Sequence, residues 1–184
     1  MNLFARCALG LGALGLALTF SPMGTTAAMA ADVLVTSSGQ ALDAFTVKTL
    51  LGRAGVENDY DPVATRENLE GHKVVIVAVG ASVKGFGAAG ITAETELERT
   101  RELLEAADAA DIKVIAVHIG GAERRQGLSE QFIQLVSNEA DAFVVWDKGN
   151  ADGYFDKVAA ERNVPLTLIS KLNEVGPVLA EQLQ

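Results

Sequence analysis

Two stretches, KVVIVAV at Lys73–Val79 and IKVIAVHI at Ile112–Ile119, are apolar at nearly every position. A strand with one wet face alternates apolar and polar residues, so an unbroken apolar run requires cover on both faces. Strands of that kind occupy the middle of parallel sheets, where the crossover helices lie on each side. AFVVW at Ala142–Trp146 and DVLVT at Asp32–Thr36 extend the series. The chain must therefore wrap helices around a buried sheet.

Between these runs the periodicity becomes helical. After the Ser37-Ser38-Gly39-Gln40 loop, Leu42, Phe45, Thr49 and Leu50 mark one helix face, which stops around Gly52–Gly55. Val56–Tyr60 reads as a short polar strand at a sheet edge, and a short helix through Leu69 ends at Gly71. Gly80 to Gly90 reads as an eleven-residue glycine-rich loop, a lid or a turn. A long helix follows from about Thr92 to Ala110, with Leu97, Leu104 and Ala107 toward the sheet. Thr92 is its expected N-cap, and Glu94 and Glu96 complement the helix dipole. Ser129 is expected to cap the next helix, with Leu128 and Ile133 as a hydrophobic staple. Gly153–Arg162 predicts a further helix, Pro165–Ile169 a sixth strand, and a terminal helix carries Pro177 in its first turns. Strand–helix alternation at this spacing predicts an α/β fold: one three-layer, doubly wound domain on a mostly parallel six-stranded sheet. The arrangement is flavodoxin-like or Rossmann-like. Its order is 2-1-3-4-5-6, because the apolar strands belong in the centre and the polar second strand at an edge.

The first thirty residues have a different character. Arg6 is their single charge, the apolar run from Cys7 to Phe20 follows, and Ala28-Met29-Ala30 offers a small-x-small cleavage site. That is the pattern of a secretory signal, and the run is short of the roughly 20 residues that span a bilayer. The expected product is a single domain at residues 31–184, periplasmic or extracellular, with no lipid insertion after cleavage. It contains no cysteine, so packing alone must hold it. Loss of Arg6 takes the formal charge from −9 to −10, which disfavours nucleic acid and anionic lipid as partners.

In open parallel sheets ligands bind beyond the carboxyl ends of the strands, where strand order reverses. The predicted order puts that crevice between the loops at Ser37–Gln40 and Gly80–Gly90, flanked by His118–Ser129 and Asp147–Gly153. Ser37, Ser38, Ser82, Lys84, Arg124 and Arg125 are the candidate binding residues, and Lys148 adds a further positive charge at the same end. Positive groups at one end of an acidic protein would focus a small anionic or polar solute there.

Sharper motifs lack their required context. Gly85-Phe86-Gly87-Ala88-Ala89-Gly90 spells G-x-G-x-x-G, yet it begins well after the strand ends near Val79. The P-loop pattern starting at Gly80 has Phe86 where lysine is needed, and the calcium-like KGNADG run begins with Lys148. With only His72 and His118, expected at opposite ends of the sheet, and no cysteine in residues 31–184, no zinc site or cofactor is expected. A hydrolase alternative would use Ser82 or Ser37 as nucleophile with His118 as base and Asp147 as its orienting acid. The G-x-S-x-G elbow is absent, since Gly80-Ala81-Ser82-Val83-Lys84 lacks the final glycine.

The segments VTSSGQALDAFTVKTLLGRAG, VAVGASVKGFGAAGI, VHIGGAERRQGLSEQFI and KGNADGYFDKVAAERNVPLTLI resemble a family of small exported bacterial α/β proteins classed as a domain of unknown function. The resemblance spans Ala31–Gln184 and is most specific at GASVKGFGAAGI and HIGGAERRQGLS. It implies an extracytoplasmic α/β domain and assigns no reaction. The leading expectation is a binding or sensing domain for a small anionic or polar solute, working with an unidentified membrane or envelope protein. The alternatives are the serine hydrolase and a protein-interaction module.

Overall fold

In the computed structural model residues 31–184 are described; the expected signal segment and its cleavage site lie outside them. The chain runs β1 (Val33–Ser38), α1 (Asp43–Arg53), β2 (Asp59–Tyr60), β3 (Val74–Val79), α2 (Val83–Ala89), α3 (Ala93–Ala109), β4 (Lys113–His118), α4 (Leu128–Ser137), β5 (Ala142–Trp146), α5 (Tyr154–Arg162), β6 (Leu166–Ile169) and α6 (Val175–Gln182). Short 3₁₀ turns at Arg66–Leu69, Ala122–Arg124, Asp147–Gly149 and Leu172–Glu174 join them. All strand pairs are parallel, and the six strands lie in the order β2-β1-β3-β4-β5-β6. This is the order expected from the apolarity of the strands.

The unbroken runs are explained by two separate cores. Val75, Val77 and Val79 of β3 and Val114 and Ala116 of β4 pack beneath α2 to α5, with Phe86, Leu104, Phe132 and Phe155. The alternate residues Ile76, Ala78, Ile115 and Val117 pack beneath α1 and α6, with Val47, Leu51, Val175 and Leu179. Side chains alternate across a strand, so each face needs its own apolar set. Pro177 sits in the first turn of α6, where its missing N–H removes no helical hydrogen bond.

Several local expectations are corrected. The buried side of α1 is Ala44, Val47 and Leu51, while Leu42 and Phe45 are exposed; Phe45 stands edge-on to Tyr60 instead. Ala44, Val47 and Leu51 are spaced to share one face of α1, and that face meets the sheet. The second strand contracts to Asp59–Tyr60. The glycine-rich loop contains a helix, α2, capped by Ser82 and closed by Gly90 in the left-handed conformation. Gly85 stands in that helix against its propensity because a Cβ there would lie 2.0 Å from the Gln40 carbonyl oxygen. Ser129 lies inside α4, whose N-cap is Gly127, and its Oγ accepts from the Ala81 N–H at 3.0 Å. Thr92 caps α3 as expected, accepting from Thr95 N.

Candidate functional site

The switch-point crevice between β1 and β3 is stitched together. Ala41 N–H donates to Gly80 O, Gly80 N–H to Ser38 O and Ser82 N–H to Gly39 O, and Gln40 and Ala81 form an antiparallel bridge. Gly39 N–H, the amide a ligand anion would use, donates to Glu96 Oε1 at 3.0 Å. The same carboxylate accepts from Gln40 Nε2 at 2.9 Å, Arg99 Nε at 2.7 Å and Arg99 Nη2 at 2.8 Å. Glu96 is wholly buried, and Arg99 also donates to the carbonyls of Ala64 and Ser37. The anion at this crevice is the protein's own. Glu96 reaches it because it shares one face of α3 with the buried Thr100, Leu103, Leu104 and Ala107.

Two strands further along the carboxyl edge lies a hollow of about 370 Å³, lined by Ala122, Arg125, Gln126, Gly149, Ala151 and Asp152. The loops after β4 and β5 form it. Their close approach depends on Gly149, where a Cβ would come 2.4 Å from Gly120 O and 2.7 Å from His118 Cδ2. Arg125 is the principal side chain. Its guanidinium lies 4.4 Å from the centre of the Tyr154 ring and 5.0 Å from that of Phe155, held by cation–π attraction. Nη1 donates to Glu130 Oε2 at 2.7 Å and Nη2 to Asp152 Oδ2 at 3.2 Å, while Nε is buried with no partner.

His118 stands directly behind the Gly149 wall. Its Nδ1 lies 3.0 Å from Val79 O, and since a carbonyl only accepts, Nδ1 carries the proton. Nε2 is then a bare acceptor, buried and without a partner. The ring is 5.6 Å from Phe155 in a stacked arrangement. Burial pushes its pKa below the ordinary value; the Val79 hydrogen bond opposes this, Arg125 and Arg124 lower it further, and Asp43 raises it. The imidazole is therefore neutral near pH 7.

The six expected binding residues do not meet in one place. Ser37 and Ser38 are interior: Ser37 Oγ has no partner and Ser38 Oγ lies 3.3 Å from Thr100 Oγ1. Ser82 Oγ accepts from Gly85 N–H as the α2 cap, and Lys84 is exposed on the first turn of that helix. Arg124 pairs with Asp43 at 3.3 Å, on the α1 side. Only Arg125 lines the hollow. For the hydrolase alternative, neither nitrogen of His118 bonds Ser82, Ser37 or Asp147, and Asp147 is exposed. Lys148 stacks over Trp146 at 5.0 Å. His72 lies before β3, at the other end of the sheet from His118, and bonds Asp59.

Asp152, Glu130, Gly149 and Glu96 were not singled out as site residues from the sequence. The spacing of Glu96, Thr100, Leu103 and Ala107 carried the signal for a buried carboxylate, with Arg99 three residues on as its partner. At the amino end a second hollow of about 310 Å³ is rimmed by Asp108, Asp111, Glu139 and Asp141. Asp141 is committed there to the Val114 N–H, and among the described residues no group of three or more His, Cys, Asp or Glu is placed to hold a metal ion. Nor is any described helix long and apolar enough to cross a membrane.

Comparison with curated proteins finds no match. A family model does match, over residues 30–183, which takes in both stitched loops, the hollow and every strand. By that match the chain belongs to the family described as domain of unknown function DUF6305.

Proposed function

We propose that this is an extracytoplasmic domain that binds or senses a small anionic or polar solute, and that the solute sits between the loops following β4 and β5. One observation carries the reading: Arg125 Nε and His118 Nε2, a donor and an acceptor, are both buried without partners at or just behind the wall of one hollow. An unmade buried hydrogen bond costs about 1–3 kcal/mol, and folded proteins tolerate few of them. Two ionisable side chains left so at the carboxyl end of a parallel sheet fit a site that a ligand completes. The stitched β1–β3 crevice, with Glu96 on its amide, makes the switch point itself a poorer choice.

A thermal-shift screen of small carboxylates, phosphate, sulfate, sugars and amides tests the reading. A solute at a hundred times its Kd stabilises by about 2.7 kcal/mol, a rise of roughly 5–11 °C for a domain of this size. The rise should vanish in Arg125→Leu. Silence across the screen, together with protein partners recovered by crosslinking, would favour the interaction-module reading, for which the exposed Leu42, Phe45 and Val83 are the supporting observation. Export is tested separately by N-terminal sequencing of the protein from its own envelope, which should begin at Ala31.

A further inference from the structure

We infer that the solute of the hollow is a carboxylate, and that Asp152 holds the position the solute's carboxylate takes on Arg125. This rests on reading the hollow as a solute site. A carboxylate binds a guanidinium best across two parallel N–H donors. On Arg125 the Nη1 side is taken by Glu130 at 2.7 Å, which leaves the Nε–Nη2 edge as the available fork. Asp152 uses that edge poorly. Its Oδ2 makes one 3.2 Å contact to Nη2, and its Oδ1 is engaged by the Tyr154 N–H at the start of α5, so Nε is left without a partner.

The two carboxylates on Arg125 also differ in exposure. The Asp152 side chain is 56 % exposed and that of Glu130 27 %, while the Arg125 side chain is only 6 % exposed. Asp152 can swing into water at little desolvation cost, whereas the arginine is fixed between its aromatic neighbours and Glu130. An incoming carboxylate spanning Nε and Nη2 gains the hydrogen bond that Asp152 does not make. Ala122, Gly149 and Ala151 supply walls without bulk, which leaves room for a small acid.

The test is an amide-resolved NMR titration of the protein with acetate and succinate, with acetamide as the neutral isostere and chloride as the ionic-strength control. Acetate and succinate should shift the amides of Gly149–Phe155, and acetamide should not. Asp152→Asn keeps an acceptor for Tyr154 N–H and removes the competing charge, so it should tighten acetate binding about tenfold. Glu130→Gln removes the same charge from the other side of Arg125 and should change affinity less than about threefold. Arg125→Lys, which lacks the fork, should abolish binding in the parent and in Asp152→Asn.

Equal gains from Asp152→Asn and Glu130→Gln would overturn displacement, as would no gain from Asp152→Asn in a protein whose Gly149–Phe155 amides do respond; the solute site would stand in both cases. Acetamide binding as tightly as acetate would overturn the carboxylate class alone. No response of these amides to any probe, in any variant, would overturn both the inference and the solute reading.

Discussion

Replacing Glu96 by glutamine tests how the switch-point crevice is held. The Glu96 carboxylate is wholly buried and receives Gly39 N–H, Gln40 Nε2, Arg99 Nε and Arg99 Nη2. Glutamine retains one oxygen, which can serve the donors now on Oε1. Its amide nitrogen then faces Arg99 Nε, donor against donor, and a guanidinium only 12 % exposed loses its counter-charge. Breaking a buried pair from one side costs about 3–5 kcal/mol, because the remaining charge is left uncompensated. At about 2–4 °C per kcal/mol the melting temperature should fall by roughly 6–20 °C. Urea unfolding should show a lower midpoint at unchanged slope. Arg99→Met should also be costly, since the carbonyls of Ser37 and Ala64 lose a donor. The double variant should cost less than the two single losses added, by about 0.5–3 kcal/mol, the coupling of residues in one network. A Glu96→Gln protein within about 1 kcal/mol of its parent would refute the buried-pair account.

Other perturbations reach the second site and the helices around it. Burial holds the folded-state pKa of His118 below its unfolded value of about 6.5, so the unfolded chain binds more protons in that interval. Stability present above about pH 6.5 should therefore be lost as pH falls toward the folded-state pKa, by at most about 1.4 kcal/mol per pH unit. Urea melts at about pH 7.5 and about pH 5.5 should show a slope that is smaller in His118→Asn than in the parent. Gly149→Ala forces a Cβ to 2.4 Å from Gly120 O and should cost about 1–3 kcal/mol or more, seen as a lower melting temperature and a shifted His118 ring resonance. Gly87→Ala, in the helical α2 with nothing within 4 Å of its Cβ, should stabilise by about 0.5–1 kcal/mol in the same melt. Ser82→Ala removes the α2 cap and should cost about 1 kcal/mol while leaving acetate affinity unchanged.

The strand order was legible because burial on two faces demands apolar residues at every position, and β3 and β4 obey that demand plainly. α1 buries a different side from the one that Leu42, Phe45, Thr49 and Leu50 mark. Both sides offer apolar residues: Leu42 and Phe45 lie exposed, while Ala44, Val47 and Leu51 form the buried stripe at helical spacing. α2 was hidden because one of its glycines, Gly85, answers to Gln40, forty-five residues earlier, and local propensity carries no trace of that contact. Among the expected binding residues Arg125 alone lines the hollow; the basic loop pointed equally to Arg124, which turns to Asp43 instead. Asp152 and Gly149 take their meaning from the meeting of two loops, which spacing along one chain does not encode, whereas Glu130 lies in α4, five residues from Arg125. Glu96 ran against the rule that a charge in the first turn of a helix faces water.

The most direct test of the central claim is hydrogen–deuterium exchange on protein isolated with its natural solute, compared with the same protein after the solute has been stripped. A solute between the loops that follow β4 and β5 should slow exchange at residues 119–126 and 147–155 and leave the stitched seam at Gly39–Ser82 unchanged. Slowed exchange confined to that seam, with residues 119–126 and 147–155 unaffected, would contradict the account and return the site to the switch point.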